Sequence, residues 1–183
     1  MIATRLATIA DIEAMPDEPG RVALIEGELY RMAPAGGRHG RLGVRLTVAL
    51  HLFVEAHESG VVYGADTGFV LQREPDTLLA PDVTFIRKDR VPVGDDEIGF
   101  PEVVPDLVVE ILSPSNTSTM MTKKVNAYLA AGVSLIWVVN PVHSVITVHE
   151  QDGHRREIGM DGILDGGHIL PGLSLPVADL FQP

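Results

Sequence analysis

Apolar and polar positions follow one another along this chain in two rhythms, and each change of rhythm marks a change of element. Residues 8–15 read as a short helix, capped by Thr8 or Asp11 and stopped by Pro16. Residues 21–25 and 28–32 then alternate with period two around Glu26-Gly27, the pattern of a β-hairpin. Pro34-Ala35-Gly36-Gly37 breaks the chain. Between 38 and 58, Leu42, Leu46, Ala49, Leu50, Phe53 and Val54 return at helical spacing, which predicts the main amphipathic helix, with Gly60 as its stop.

Strands are expected next at 61–63, 68–72 and 79–86, the last two joined by a turn at 74–77. Residues 87–105 form a polar loop with Pro and Gly. An apolar strand follows at 106–112, ended by Ser113-Pro114-Ser115. A helix is predicted over 119–131, terminated by Gly132, and then a buried strand over 135–139, halted by Asn140-Pro141. Residues 145–149, 155–158 and the Pro- and Gly-punctuated tail to 181 read as short β segments.

Two acids interrupt these apolar runs. Glu110 lies inside Asp106-Leu107-Val108-Val109-Glu110-Ile111-Leu112, where a carboxylate must be neutralised, hydrogen-bonded or coordinated to a cation. Asp82 lies inside Leu79-Ala80-Pro81-Asp82-Val83-Thr84-Phe85-Ile86, so a second carboxylate comes from a different strand. Such a pair suits Mg²⁺, a hard cation that takes one or two carboxylates together with waters and phosphate oxygens.

Length and composition narrow the reading. With 183 residues and 45% hydrophobic content, one α/β domain over 1–183 is expected. The absence of cysteine removes disulfides, thiolate metal sites and a cysteine nucleophile, and makes a cytoplasmic protein the simplest expectation. No stretch reads as a secretory signal or reaches membrane-spanning length. The net charge of −11 opposes nucleic-acid binding, which normally leaves a basic footprint. Its distribution is uneven, however: residues 21–45 carry five Arg against two Glu. Arg38, Arg41 and Arg45 are candidates for a local basic face, a solvated helix surface being the ordinary alternative.

Several blocks together resemble the Uma2 family of restriction-endonuclease-like proteins. They are Ala80-Pro81-Asp82-Val83, the run from Pro105 through Glu110-Ile111-Leu112-Ser113-Pro114-Ser115, Lys124 with Tyr128-Leu129-Ala130-Ala131-Gly132-Val133, and Trp137-Val138-Val139-Asn140-Pro141. Leu24-Ile25-Glu26-Gly27-Glu28-Leu29, His39 and Leu170-Pro171-Gly172-Leu173-Ser174-Leu175-Pro176 extend the likeness over nearly the whole chain.

The resemblance implies a PD-(D/E)xK restriction-endonuclease-like α/β core in the order αβββαβ, with an extra N-terminal hairpin and C-terminal β segments. It implies Mg²⁺ or Mn²⁺ held by Asp82, Glu110 and the Ile111 backbone carbonyl, DNA as substrate, and a lysine that serves the attacking water. The strict motif would place that lysine two residues after Glu110, where Leu112 stands; the resemblance supplies Lys124 from the next helix. Glu28 and His39 are weaker candidates, for the metal shell and for contact with phosphate or water. Met120 and Asn116-Thr117-Ser118-Thr119 stand where the family often carries charge. A symmetric homodimer is expected, on the strength of exposed apolar segments near the tail and the Trp137 strand.

Each residue also has an ordinary structural role to weigh. Glu110 could be a buried glutamate satisfied by protein donors, Asp82 a turn aspartate after Pro81, and Lys124 a solvated helix lysine. A binding or scaffold protein that keeps the fold without the chemistry is the alternative to the enzyme.

Overall fold

The computed structural model describes residues 5–15, 21–94, 99–113 and 118–182; Pro16, Pro114, Ser115, Asn116 and Thr117 lie outside them. Helix α1 (Ile9–Glu13) begins at Thr8, whose hydroxyl accepts the Asp11 amide while Asp11 returns a bond to the Thr8 backbone. Strands β1 (Arg21–Ile25) and β2 (Glu28–Met32) form the expected hairpin. Its turn residues Glu26 and Gly27 both have positive φ, 50° and 78°, which suits the right-handed twist of the two strands.

Helix α2 (Gly37–Ala56) buries Leu42, Leu46, Leu50 and Val54, the stripe its spacing predicts. It ends before Gly60, which opens strand β3 (Gly60–Gly64). A Cβ at Gly60 would stand 2.0 Å from the Ile86 carbonyl oxygen, so glycine is needed here for strand contact and not as the helix stop.

The expected strand over 79–86 divides in two. Strand β4 (Phe69–Gln72) pairs with β5 (Thr77–Leu79), and β5 pairs with β1, giving a sheet in the order β2-β1-β5-β4. Strand β6 (Val83–Arg87) belongs to a different sheet. Ala80-Pro81-Asp82 carries the chain between them. Pro81 has no N–H for a ladder, which accounts for a break that the apolar run conceals.

Strand β7 (Leu107–Ile111), helix α3 (Ser118–Ala131), and strands β8 (Leu135–Asn140), β9 (Val145–Glu150) and β10 (Arg155–Ile158) complete a six-stranded sheet in the order β10-β9-β8-β7-β6-β3. The pair β7 and β8 is parallel, bridged by α3; its other neighbours are antiparallel. The succession α2, β3, β6, β7, α3, β8 is the αβββαβ core, with β4 and β5 inserted to join the N-terminal hairpin. Strands β11 (Ile163–Gly166) and β12 (Leu170–Pro176) pair with each other. Helix α4 (Val177–Phe181) ends a tail expected to be all β.

The six-stranded sheet is covered on both faces. Leu107, Val109 and Ile111 pack with the α2 stripe and with Leu170, Leu173, Val177 and Leu180 of the tail. Val108, Ile136 and Val138 pack with Met121, Val125 and Tyr128 of α3 and with Ala23, Phe69 and Leu79 of the smaller sheet. Trp137 is fully buried and Leu170, Leu173, Val177 and Leu180 of the tail pack into a core, so among the described residues the exposed apolar side chains expected for a homodimer reduce there to Val142, Met160 and Ile163. Among the described residues no helix is long and apolar enough to cross a membrane.

Candidate active site

Every residue of β7 is buried, and the alternation of a strand sends Glu110 to the α3 side while Val109 and Ile111 face α2. Glu110 is 2% exposed. Lys124, from the buried face of α3, places its Nζ 2.8 Å from both carboxylate oxygens. Tyr128, one turn further along α3, donates its hydroxyl to Oε1 at 2.6 Å. Lys124 is not a solvated helix lysine: it is 3% exposed and ion-paired. Removing one member of such a pair strands a charge in the core, at a cost of about 3–5 kcal/mol.

Asp82 is held differently. It lies just before β6, whose Val83 pairs with Val109, so Asp82 and Glu110 flank the same rung of the ladder. Its Oδ2 accepts the Ile111 amide at 2.7 Å and stands 3.1 Å from Nε2 of His39 in the first turn of α2. The two acids therefore sit at one end of adjacent strands, one engaged toward α2 and the other toward α3. An apolar cleft of about 390 Å³ adjoins Asp82 and His39, lined also by Gly43, Val44, Thr47 and Ala65.

Glu28 is placed elsewhere. It is exposed on β2 and accepts from the Tyr30 hydroxyl and from Lys123 Nζ, the latter at 3.0 Å. Lys123 also reaches the Tyr30 hydroxyl at 2.7 Å. The Tyr30 bond, and then Lys123, hold the Glu28 carboxyl below its ordinary range; the same contacts push the Lys123 ammonium up. The structure thus brings Lys124 to Glu110, and His39 and Ile111 to Asp82, while Glu28 belongs to a separate surface cluster.

Of the three arginines considered for a basic face, Arg38 and Arg41 are exposed. Arg45 instead donates to the carbonyls of Leu180 and Gln182, tying α2 to the tail. Leu112 and Met120, standing where the motif or the family carries charge, pack at the edge of the α3 core.

Sequence reasoning passed over two residues. Tyr128 was visible as the residue four after Lys124, on the same helical face. Asp106, 1% exposed, accepts from Arg90 at 2.6 Å and from the Arg87 backbone amide at 2.9 Å, and it anchors the entry to β7. Its partners lie in the preceding segment, without regular spacing.

The donor set bears on a metal. Among the described residues no three His, Asp or Glu side chains gather into a group that could hold one. A hard dication can take only one or two carboxylates, with carbonyl and water oxygens for the rest. Asp82 and Glu110, delivered from adjoining positions on neighbouring strands, are two carboxylates and match that smaller count.

A family model described as "Uma2: Putative restriction endonuclease" matches residues 9–178. Among solved structures, the chain is similar to a crystal structure of "a putative nuclease belonging to DUF820 from Anabaena variabilis ATCC 29413". That likeness has a TM-score of 0.83 at 20% identity, over 95% of this chain and 97% of the other. No curated protein matches the sequence.

Proposed function

The chain belongs to the Uma2 family, and we propose that it is a divalent-metal-dependent endonuclease that hydrolyses DNA phosphodiester bonds at a site built from Asp82, Glu110 and Lys124. One observation carries the reading. A lysine from α3 reaches the buried glutamate of β7 at 2.8 Å, which supplies from the neighbouring helix the cation that Leu112 cannot supply from the strand.

In this reading Asp82 and Glu110, with the Ile111 carbonyl, hold Mg²⁺ or Mn²⁺. When bound, such an ion polarises the scissile phosphate and acidifies a water. Lys124 orients the nucleophile and stabilises developing negative charge. Tyr128 fixes the Glu110 carboxylate. His39 orients Asp82 and would meet phosphate or water, while Glu28 stays in its surface cluster with Tyr30 and Lys123, outside this site. The whole chain acts as one domain, and a homodimer would present two sites to two strands.

A second reading has its own support: Glu110 already has Lys124 and Tyr128 as partners, as a purely structural glutamate in a binding or scaffold protein would. Titration calorimetry with Mg²⁺ and Mn²⁺, run beside nicking of supercoiled plasmid, separates the two. The parent should take up cation and cut, Asp82→Ala should lose both, and Lys124→Ala should keep cation uptake and lose cutting. The samples should be kept at a temperature where circular dichroism shows Lys124→Ala folded. A parent indifferent to both cations favours the scaffold.

A further inference from the structure

The largest exposed apolar residues on α2 are Val44, Val48 and Leu52, at 65%, 49% and 64% exposure. They form one ridge along the helix, opposite the buried Leu42, Leu46, Leu50 and Val54. The exposed Arg41 and Glu55 continue the ridge at its two ends. The order is symmetric about Val48: Val44 and Leu52 lie four residues to either side, and Arg41 and Glu55 seven.

We propose that this ridge is a self-docking surface, on which a second copy of the chain lays its own α2 antiparallel across a two-fold axis at Val48. In that register Val48 meets its own counterpart, Val44 meets the partner's Leu52, and Arg41 meets the partner's Glu55. A parallel arrangement would set Arg41 against Arg41 and Glu55 against Glu55, so the charges select the antiparallel one. Val44 and Val48 of the ridge also line the cleft beside Asp82, with Gly40, Gly43 and Thr47 continuing its wall. The partner therefore flanks the cleft. One helix pair buries less than the roughly 800 Å² per partner of a standard interface, so the dimer should dissociate on dilution.

This names the surface for the homodimer in the proposed function, but its readout is mass in solution, so its failure would leave cation uptake and cutting untouched. Sedimentation velocity over a dilution series of the full chain tests it. The parent should pass from dimer to monomer. Val48→Glu, which sets like charges face to face on the axis, should weaken association at least about tenfold. Leu52→Lys, at a more exposed position, should do the same and guards against misfolding at Val48; thermal midpoints near the parent's establish that both are folded. Arg41→Glu and Glu55→Arg should each weaken the dimer, and the combined exchange should restore it. A parent that is monomeric throughout, a Val48→Glu dimer as tight as the parent's, or an exchange that fails to rescue would each overturn the proposal. If the parent is monomeric and Arg41→Glu instead lowers retention of DNA on a filter, the face belongs to nucleic acid.

Discussion

Lys123 and Lys124 are neighbours on one helix, and each joins a glutamate and a tyrosine, yet the two clusters differ in almost every physical respect. Lys124, Glu110 and Tyr128 are 3%, 2% and 0% exposed. Lys123 and Glu28 have side chains 46% and 60% exposed, and Lys123 stands 5.3 Å over the Tyr30 ring. One step along a helix turns a side chain by about 100°, enough to carry one lysine into the core and leave the other in water. The same chemical groups therefore carry different weight. In the core a lost partner exposes a charge to a medium that cannot solvate it, whereas at the surface water replaces the partner.

The comparison can be broken most forcefully at Lys124. Lys124→Ala should lower unfolding free energy by about 3–5 kcal/mol in a urea titration, because Glu110 is left charged and buried. Replacing both partners, with Glu110→Leu and Lys124→Met together, should recover most of that loss. A single variant as stable as the parent would mean that the pair is wetter than its geometry implies. Next in size is Tyr128→Phe, which deletes a 2.6 Å bond to the Glu110 carboxylate and should cost about 1–3 kcal/mol by the same titration.

The surface cluster should answer weakly. Lys123→Ala should leave the urea midpoint close to the parent's, and the small difference should shrink further in added salt. Its acid dependence gives the finest test. Glu28 titrates below its ordinary 4.5 in the folded protein, so its contribution is present above that value and is lost as pH falls through the lowered one. The stability difference between the parent and Glu28→Gln should therefore be constant near neutrality and vanish in acid.

These contrasts also show what could be read from the chain. The α2 stripe and the buried run of β7 were legible because burial writes its pattern into neighbouring residues. Glu110 was legible for the converse reason, as a charge inside such a run. The strand break at Ala80-Pro81-Asp82 was hidden, since strand-like residues continue on both sides of it and only Pro81 marks the crossing between sheets. The five-residue α4 was hidden by the Pro and Gly positions just before it. The partnership of Glu28 with Lys123 spans 95 residues and leaves no local signature. That of Lys124 with Glu110 came from family resemblance, because spacing alone would have put a lysine at Leu112.

The bond from the Ile111 amide to Asp82 makes that peptide group a sensor. A carboxylate that accepts a backbone N–H at 2.7 Å imposes its own electron density on the amide nitrogen and proton. Whatever draws charge from Asp82, whether a cation, a protonated His39 or a ligand in the adjoining cleft, must loosen its hold on that proton. A single cross-peak in a ¹⁵N spectrum, assigned by its loss in an Asp82→Ala sample, would then report occupancy of the site by its shift and by its rate of exchange with deuterium, in the native chain and without any turnover.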